Sequence, residues 1–215
     1  MSFPYGKYKN SRNAAWLCLL DNHVTALPVS VSYIAHRNHI RLGTYSKNHA
    51  LIESLGLESL LENGGFSTLT STGFIILYRD GLNSHFSRFT IAHELGHIFL
   101  GHLLPPVNGL PCTILNRGPG PNDDPLEHEA NVFASRLLAP SCVLWGVGAH
   151  CASEISSLCD ISMTAAKIRE ERMTILYRRE AELLDIDRPS CFLLSPLERQ
   201  VYVNFKSFID TYHKT

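Results

Sequence analysis

No run of 18 or more apolar residues occurs in this 215-residue sequence, so no segment reads as a transmembrane helix. Residues 1–7 (MSFPYGK) lack the apolar stretch that a secretory signal needs. Neither sign of charge is in excess, with 19 Lys and Arg against 20 Asp and Glu. That balance gives no electrostatic reason to expect nucleic acid or an anionic membrane as partner. The six cysteines (Cys18, Cys112, Cys142, Cys151, Cys159, Cys191) are scattered and no two form a C-x-x-C pair. Cys142, Cys151 and Cys159 lie nearest one another, but their spacing matches no common zinc site. Reduced, mostly buried thiols are the expectation, in a soluble cytoplasmic protein. What the chain does have is apolar content, 45% of its residues, enough for a sizeable core. The length suits one domain with a small appendage.

The densest chemistry lies in His93-Glu94-Leu95-Gly96-His97. Two histidines four apart on a helix return to nearly the same face and can share one metal ion. The intervening pair places a glutamate beside that ion, where it can take a proton from water: the HExxH pattern of zinc hydrolases. Ile91, Leu95, Ile98 and Phe99 fall on the far side of the same helix and supply a packing stripe. The plainer reading is a buried helix whose histidines only satisfy hydrogen bonds.

Around that motif the pattern is mixed. A helix is expected over about 12–22, a second over 29–36, a strand over 40–45 and helix over 46–63. Gly73 to Arg79 is the clearest strand, serving either as an exposed edge that holds a peptide by backbone pairing or as an internal strand. The motif helix should begin near Ser84 or Ser87 and stop by Gly101. Residues 105–125, rich in Pro, Gly and Asn, form a long loop that is either a gate or simply disordered. Further helices are expected over 143–159 with interruptions at Gly146 and Gly148, over 162–184, and from Ser195 to the end. Segment 151–176 resembles a helix-turn-helix, but without basic excess it does not argue for DNA binding.

A third ligand is sought in the helix opened by Asp124-Pro125-Leu126-Glu127. Asp at the cap, Pro at the first position and Glu at the third fit a capping box, which occupies Glu127. Leu126, Ala130, Phe133 and Leu137 form the apolar stripe, and Glu129 lies at its edge. A carboxylate turned toward a core needs a partner, so Glu129 is expected either as the third metal ligand or in a buried salt bridge. The three-histidine alternative, HExxHxxGxxH, fails because position 103 is Leu103. His102, five residues after His97, is well round a continuing helix and is expected at the surface or behind the ligands.

Residues 88–97 (RFTIAHELGH) and 129–140 (EANVFASRLLAP), with weaker matches at Leu27-Pro28-Val29 and Ile161-Ser162-x-x-Ala165-x-x-Arg169, resemble the ImmA/IrrE metallopeptidases. The resemblance implies an α+β fold, a mainly helical zincin-like core with a small antiparallel or mixed sheet. The expected organisation is a metallopeptidase domain over 1–185 with 186–215 as a C-terminal helical extension; the resemblance itself spans about residues 11–180. It implies His93, His97 and Glu129 as metal ligands and Glu94 as general base. The metal is expected to be Zn2+, with Mn2+ or Fe2+ also suited to two imidazoles and a carboxylate. The implied task is cleavage of a helix-turn-helix repressor, derepressing mobile-element or stress genes. The alternatives are a metal-containing regulator that binds a repressor without cutting it, or a toxin-antitoxin component.

Overall fold

The computed structural model describes residues 9–103, 112–113, 124–183 and 195–213. The chain divides into two compact units, Met1–Ala14 with Ser30–Ala134, and Ala15–Val29 with Ser135–Thr215. Most of the loop expected over 105–125, and the domain boundary expected at 185, lie outside the described residues.

In the first unit, α1 (Lys9–Asp21) begins the described chain and runs on into the second. Next comes α2 (Val31–Arg37), capped by the Ser30 hydroxyl, which accepts from the Tyr33 amide. Strand β1 (Arg41–Thr44) precedes α3 (His49–Ser54). The continuous helix expected over 46–63 is instead α3 between two short 3-10 turns, because Gly56 takes the left-handed φ of +65° and ends it. Strands β2 (Gly65–Thr70) and β3 (Gly73–Tyr78) form a hairpin, and β4 (Cys112–Thr113) adds a short pairing.

The sheet runs β1-β3-β2-β4, with β1 parallel to β3 and the other pairs antiparallel, so it is mixed. Gly73 to Tyr78 is therefore the internal strand of the two readings, with a neighbour on each side. Strand β2 has no counterpart in the sequence reading, which took Gly64-Gly65 only as a turn. Side chains alternate across a strand. Phe66, Ile75 and Leu77 accordingly join Tyr45, Ile52 and Leu57 in one cluster. Ser67, paired with Ile76, faces the other way, toward the helix above.

That helix is α4 (Ser84–Phe99), started by Asn83, whose side chain accepts from the Phe86 amide at 2.9 Å. Its residues Thr90 to His97 are all buried, so the HExxH motif sits inside packing on every side. Helix α5 (Pro125–Leu138) packs against it through the buried Ala130 and Phe133. Phe99 stacks on Phe133. The close approach depends on Gly96, where an added Cβ would meet Ala130 backbone atoms at 3.2 Å and the Phe133 ring at 3.1 Å.

The second unit holds α6 (Ser141–Gly146), α7 (Ala152–Cys159), α8 (Met163–Leu183), α9 (Pro196–Asn204) and α10 (Lys206–Tyr212). The expected last helix is thus two, divided at the buried Phe205. Ser195 and Glu198 form a reciprocal capping box at its start. Buried Arg169 of α8 donates to the carbonyl of Ala139, just beyond α5, and ties down the end of that helix. Cys18, Cys142 and Cys159 are buried free thiols, and burial pushes Cys18 up to about 12, which keeps it an inert thiol. No helix among the described residues is long and apolar enough to cross a membrane.

The Gly96 contact yields a direct test. Gly96→Val adds a branched side chain against backbone, and overpacking of this kind costs about 1–3 kcal/mol. Thermal unfolding should show Tm lowered by roughly 2–12 °C. An unchanged Tm would mean that α4 and α5 do not pack this closely.

Candidate metal centre

Three residues of one turn of α4, His93, Glu94 and His97, form one side of the centre. His93 and His97 lie on the same side of α4, with Nε2 atoms 3.0 Å apart. Both are at least nine-tenths buried, as is Glu94 between them. Buried polar groups need partners, and each of the three has one from a different element.

Glu94 accepts a hydrogen bond from the Ser67 hydroxyl of β2 at 2.8 Å. Strand alternation is what turns Ser67 toward α4. The bond holds one carboxylate oxygen, Oε2, in place. His93 Nδ1 lies 3.0 Å from Asn131 Oδ1 on α5. The amide oxygen accepts, so the ring hydrogen is on Nδ1 and the Nε2 lone pair faces the centre.

The carboxylate at the centre is Glu127. Its oxygens lie 3.1 Å from His93 Nε2 and 3.3 Å from His97 Nε2. His93, His97 and Glu127 are the group of three metal-ligating side chains brought together among the described residues, with ligand atoms within 4.8 Å of one another. Glu129, expected at this position, points instead to His102, with Oε2 3.2 Å from Nε2. The difference has a helical cause. Glu127 and Asn131 are four apart and share a face, whereas Glu129 is about 200° round from Glu127. The capping reading of Glu127 is correspondingly half right: Asp124 does accept from the Leu126 amide at 2.9 Å. The Glu127 carboxylate, however, reaches the imidazoles from the first turn of α5, where the positive end of the helix dipole favours its charge.

His102 is neither on the surface nor round a continuing helix. After Leu100, Gly101 adopts φ +73° and the chain doubles back. The His102 amide donates to the His97 carbonyl and the Gly101 amide to that of Ile98, the pairing of a Schellman turn. This returns the His102 ring to His97, Nδ1 to Nδ1 at 3.0 Å. Burial, then the neighbouring His97, lower its pKa from the ordinary value against the opposing pull of Glu129.

Do these groups suit a metal? Ligand atoms each about 2.0–2.1 Å from a tetrahedral zinc ion sit roughly 3.3 Å from one another. The contacts of 3.0, 3.1 and 3.3 Å have that size. Two imidazoles and one carboxylate are also the donor set of open, catalytic sites. The residues fit. Glu127 keeps about a third of its side-chain surface exposed, so the centre is reached from solvent on that side.

Comparison with known proteins agrees with the geometry. No curated protein matches the chain. Residues 52–146 match the Peptidase_M78 family, the IrrE N-terminal-like domain, and that span runs from the end of α3 through both site helices to Gly146. The segment that carries the HExxH helix and the Glu127 helix is thus similar to the Peptidase_M78 metallopeptidases.

Proposed function

We propose that this protein is a zinc-dependent endopeptidase of the cytoplasm that cuts a specific helix-turn-helix repressor. The observation that carries the metallopeptidase reading is the convergence of His93, His97 and Glu127 beside a buried glutamate of the HExxH motif. The repressor as substrate rests on the family resemblance of the RFTIAHELGH and EANVFASRLLAP blocks.

In this reading His93 Nε2, His97 Nε2 and a Glu127 oxygen hold the ion. When bound, the ion supplies Lewis acidity that polarises a peptide carbonyl and lowers the pKa of water toward neutrality. Asn131 orients His93 through Nδ1. Glu94, steadied by Ser67, takes the proton from the attacking water and passes it to the leaving amine nitrogen. Its burial matters here, because a carboxylate screened from bulk water holds the proton for delivery instead of losing it. Iron or manganese would fit the same donor set, so elemental content of the purified protein decides between them.

Glu94→Gln keeps shape and removes the base. The variant should retain about one zinc per chain while cleavage of purified host helix-turn-helix repressors, followed by mass spectrometry, falls by about 10²–10⁴-fold. Fragments produced at the wild-type rate would contradict the role of Glu94. Repressors left intact by the zinc-loaded wild type would remove the substrate assignment.

Glu127→Ala removes a ligand outright. Zinc content should fall from about one ion per chain to near background in elemental analysis. Full retention would mean that another carboxylate binds the ion.

A further inference from the structure

We propose that His102 and Glu129 are positioning residues that lock His97 into the tautomer able to bind metal. The inference rests on the reading that His97 is a ligand, and it concerns two residues to which that reading gives no task.

Three groups form a chain. His97 Nδ1 meets His102 Nδ1 at 3.0 Å, and His102 Nε2 meets Glu129 Oε2 at 3.2 Å. A nitrogen–nitrogen contact at that distance needs one hydrogen between the two lone pairs. Between two neutral rings there are two ways to supply it. If His102 carried it on Nδ1, neutral His102 would turn a bare Nε2 lone pair on Glu129, and an ionised carboxylate has only lone pairs to offer. That contact is repulsive. If His97 carries it, His102 has its own hydrogen on Nε2 and donates it to Glu129, and both contacts become hydrogen bonds. A doubly protonated His102 would also donate to both neighbours, but it would put the His97 hydrogen on Nε2; of the arrangements that satisfy every atom, only the second leaves His97 Nε2 open to a metal.

Its consequence falls on the other side of the His97 ring. A neutral imidazole with hydrogen on Nδ1 has its lone pair on Nε2, the atom 3.3 Å from Glu127. The opposite tautomer would point a hydrogen into the centre and block coordination. Glu129 therefore selects, through His102, which nitrogen of His97 is free. Metal-binding histidines generally have the second nitrogen fixed by a carboxylate or carbonyl. Here an intervening imidazole lengthens the link, because His97 is fully buried beneath the turn that Gly101 makes. The symmetric task for His93 falls to Asn131, so each ligand ring has its own partner from α5, direct or relayed.

The test needs no substrate. In the metal-free protein labelled with 15N-histidine, long-range proton–nitrogen correlation near neutral pH reads each ring's tautomer. The account expects His97 with hydrogen on Nδ1 and His102 with hydrogen on Nε2. His102→Phe keeps an aromatic ring and removes both contacts. It should weaken Zn2+ binding by about 10–100-fold in competition with a chromophoric chelator, with an unchanged far-UV circular dichroism spectrum. His102→Gln, whose carbonyl can again accept from His97 Nδ1, should recover most of that loss, which a role in packing alone would not produce. A metal-free wild type with the His97 hydrogen on Nε2 overturns the proposal. So does a folded His102→Phe protein with wild-type zinc affinity. If that variant fails to fold, the wild-type spectrum decides alone. Absence of zinc binding by the wild type would instead remove the metal reading, while the spectrum would still report whether the pair sets the tautomer.

Discussion

Three electron-pair donors meet at one point in this structure, and most of the first unit is arranged to make them do so. Two imidazole nitrogens and a carboxylate in mutual contact repel one another unless a positive charge sits among them. Each donor is held by a group that has no other reason to be where it is. Asn131 fixes His93, His102 backs His97, and the first turn of α5 presents Glu127. Glu94, buried beside them, is steadied from the sheet by Ser67. A helix packed on every side would ordinarily carry apolar residues at such positions. Carrying two histidines and a glutamate instead is costly for stability, and a bound cation offsets that cost.

The support extends past the centre itself. Gly96 lets α4 and α5 approach until backbone and ring are in contact, which is the spacing that the shared site requires. Gly101 ends α4 and folds the chain back over His97. At its start α5 is capped by Asp124, which accepts from the Leu126 amide. A small rotation of α5 would move Glu127 and Asn131 together, and with them both imidazole contacts.

Much of this was legible in the sequence, and what was not has identifiable causes. The HExxH helix, its start near Ser84 and its burial follow from local pattern alone. The third carboxylate does not, because Glu127 and Glu129 both lie near the apolar stripe and a capping box offered Glu127 a different occupation. The informative signal is the spacing of Glu127 to Asn131, one helical turn, which puts on one face the carboxylate that meets both imidazoles and the amide that meets His93. Of the two places expected for His102, behind the ligands or at the surface, the structure gives the first, through the turn that Gly101 makes at the end of α4. Strand β2 was missed because the paired glycines before it read as a turn, and with it went Ser67, whose meaning depends wholly on which face of a strand it occupies. Contacts set by tertiary register, such as Ser67 with Glu94, leave no local trace.

The most direct measurement is a crystal structure of the zinc-loaded protein with anomalous scattering recorded at the zinc edge. The account predicts one peak, within about 2.0–2.2 Å of His93 Nε2, His97 Nε2 and a Glu127 oxygen, with Glu129 remaining against His102. A peak ligated by Glu129 or His102, or zinc absent from this position altogether, would contradict it.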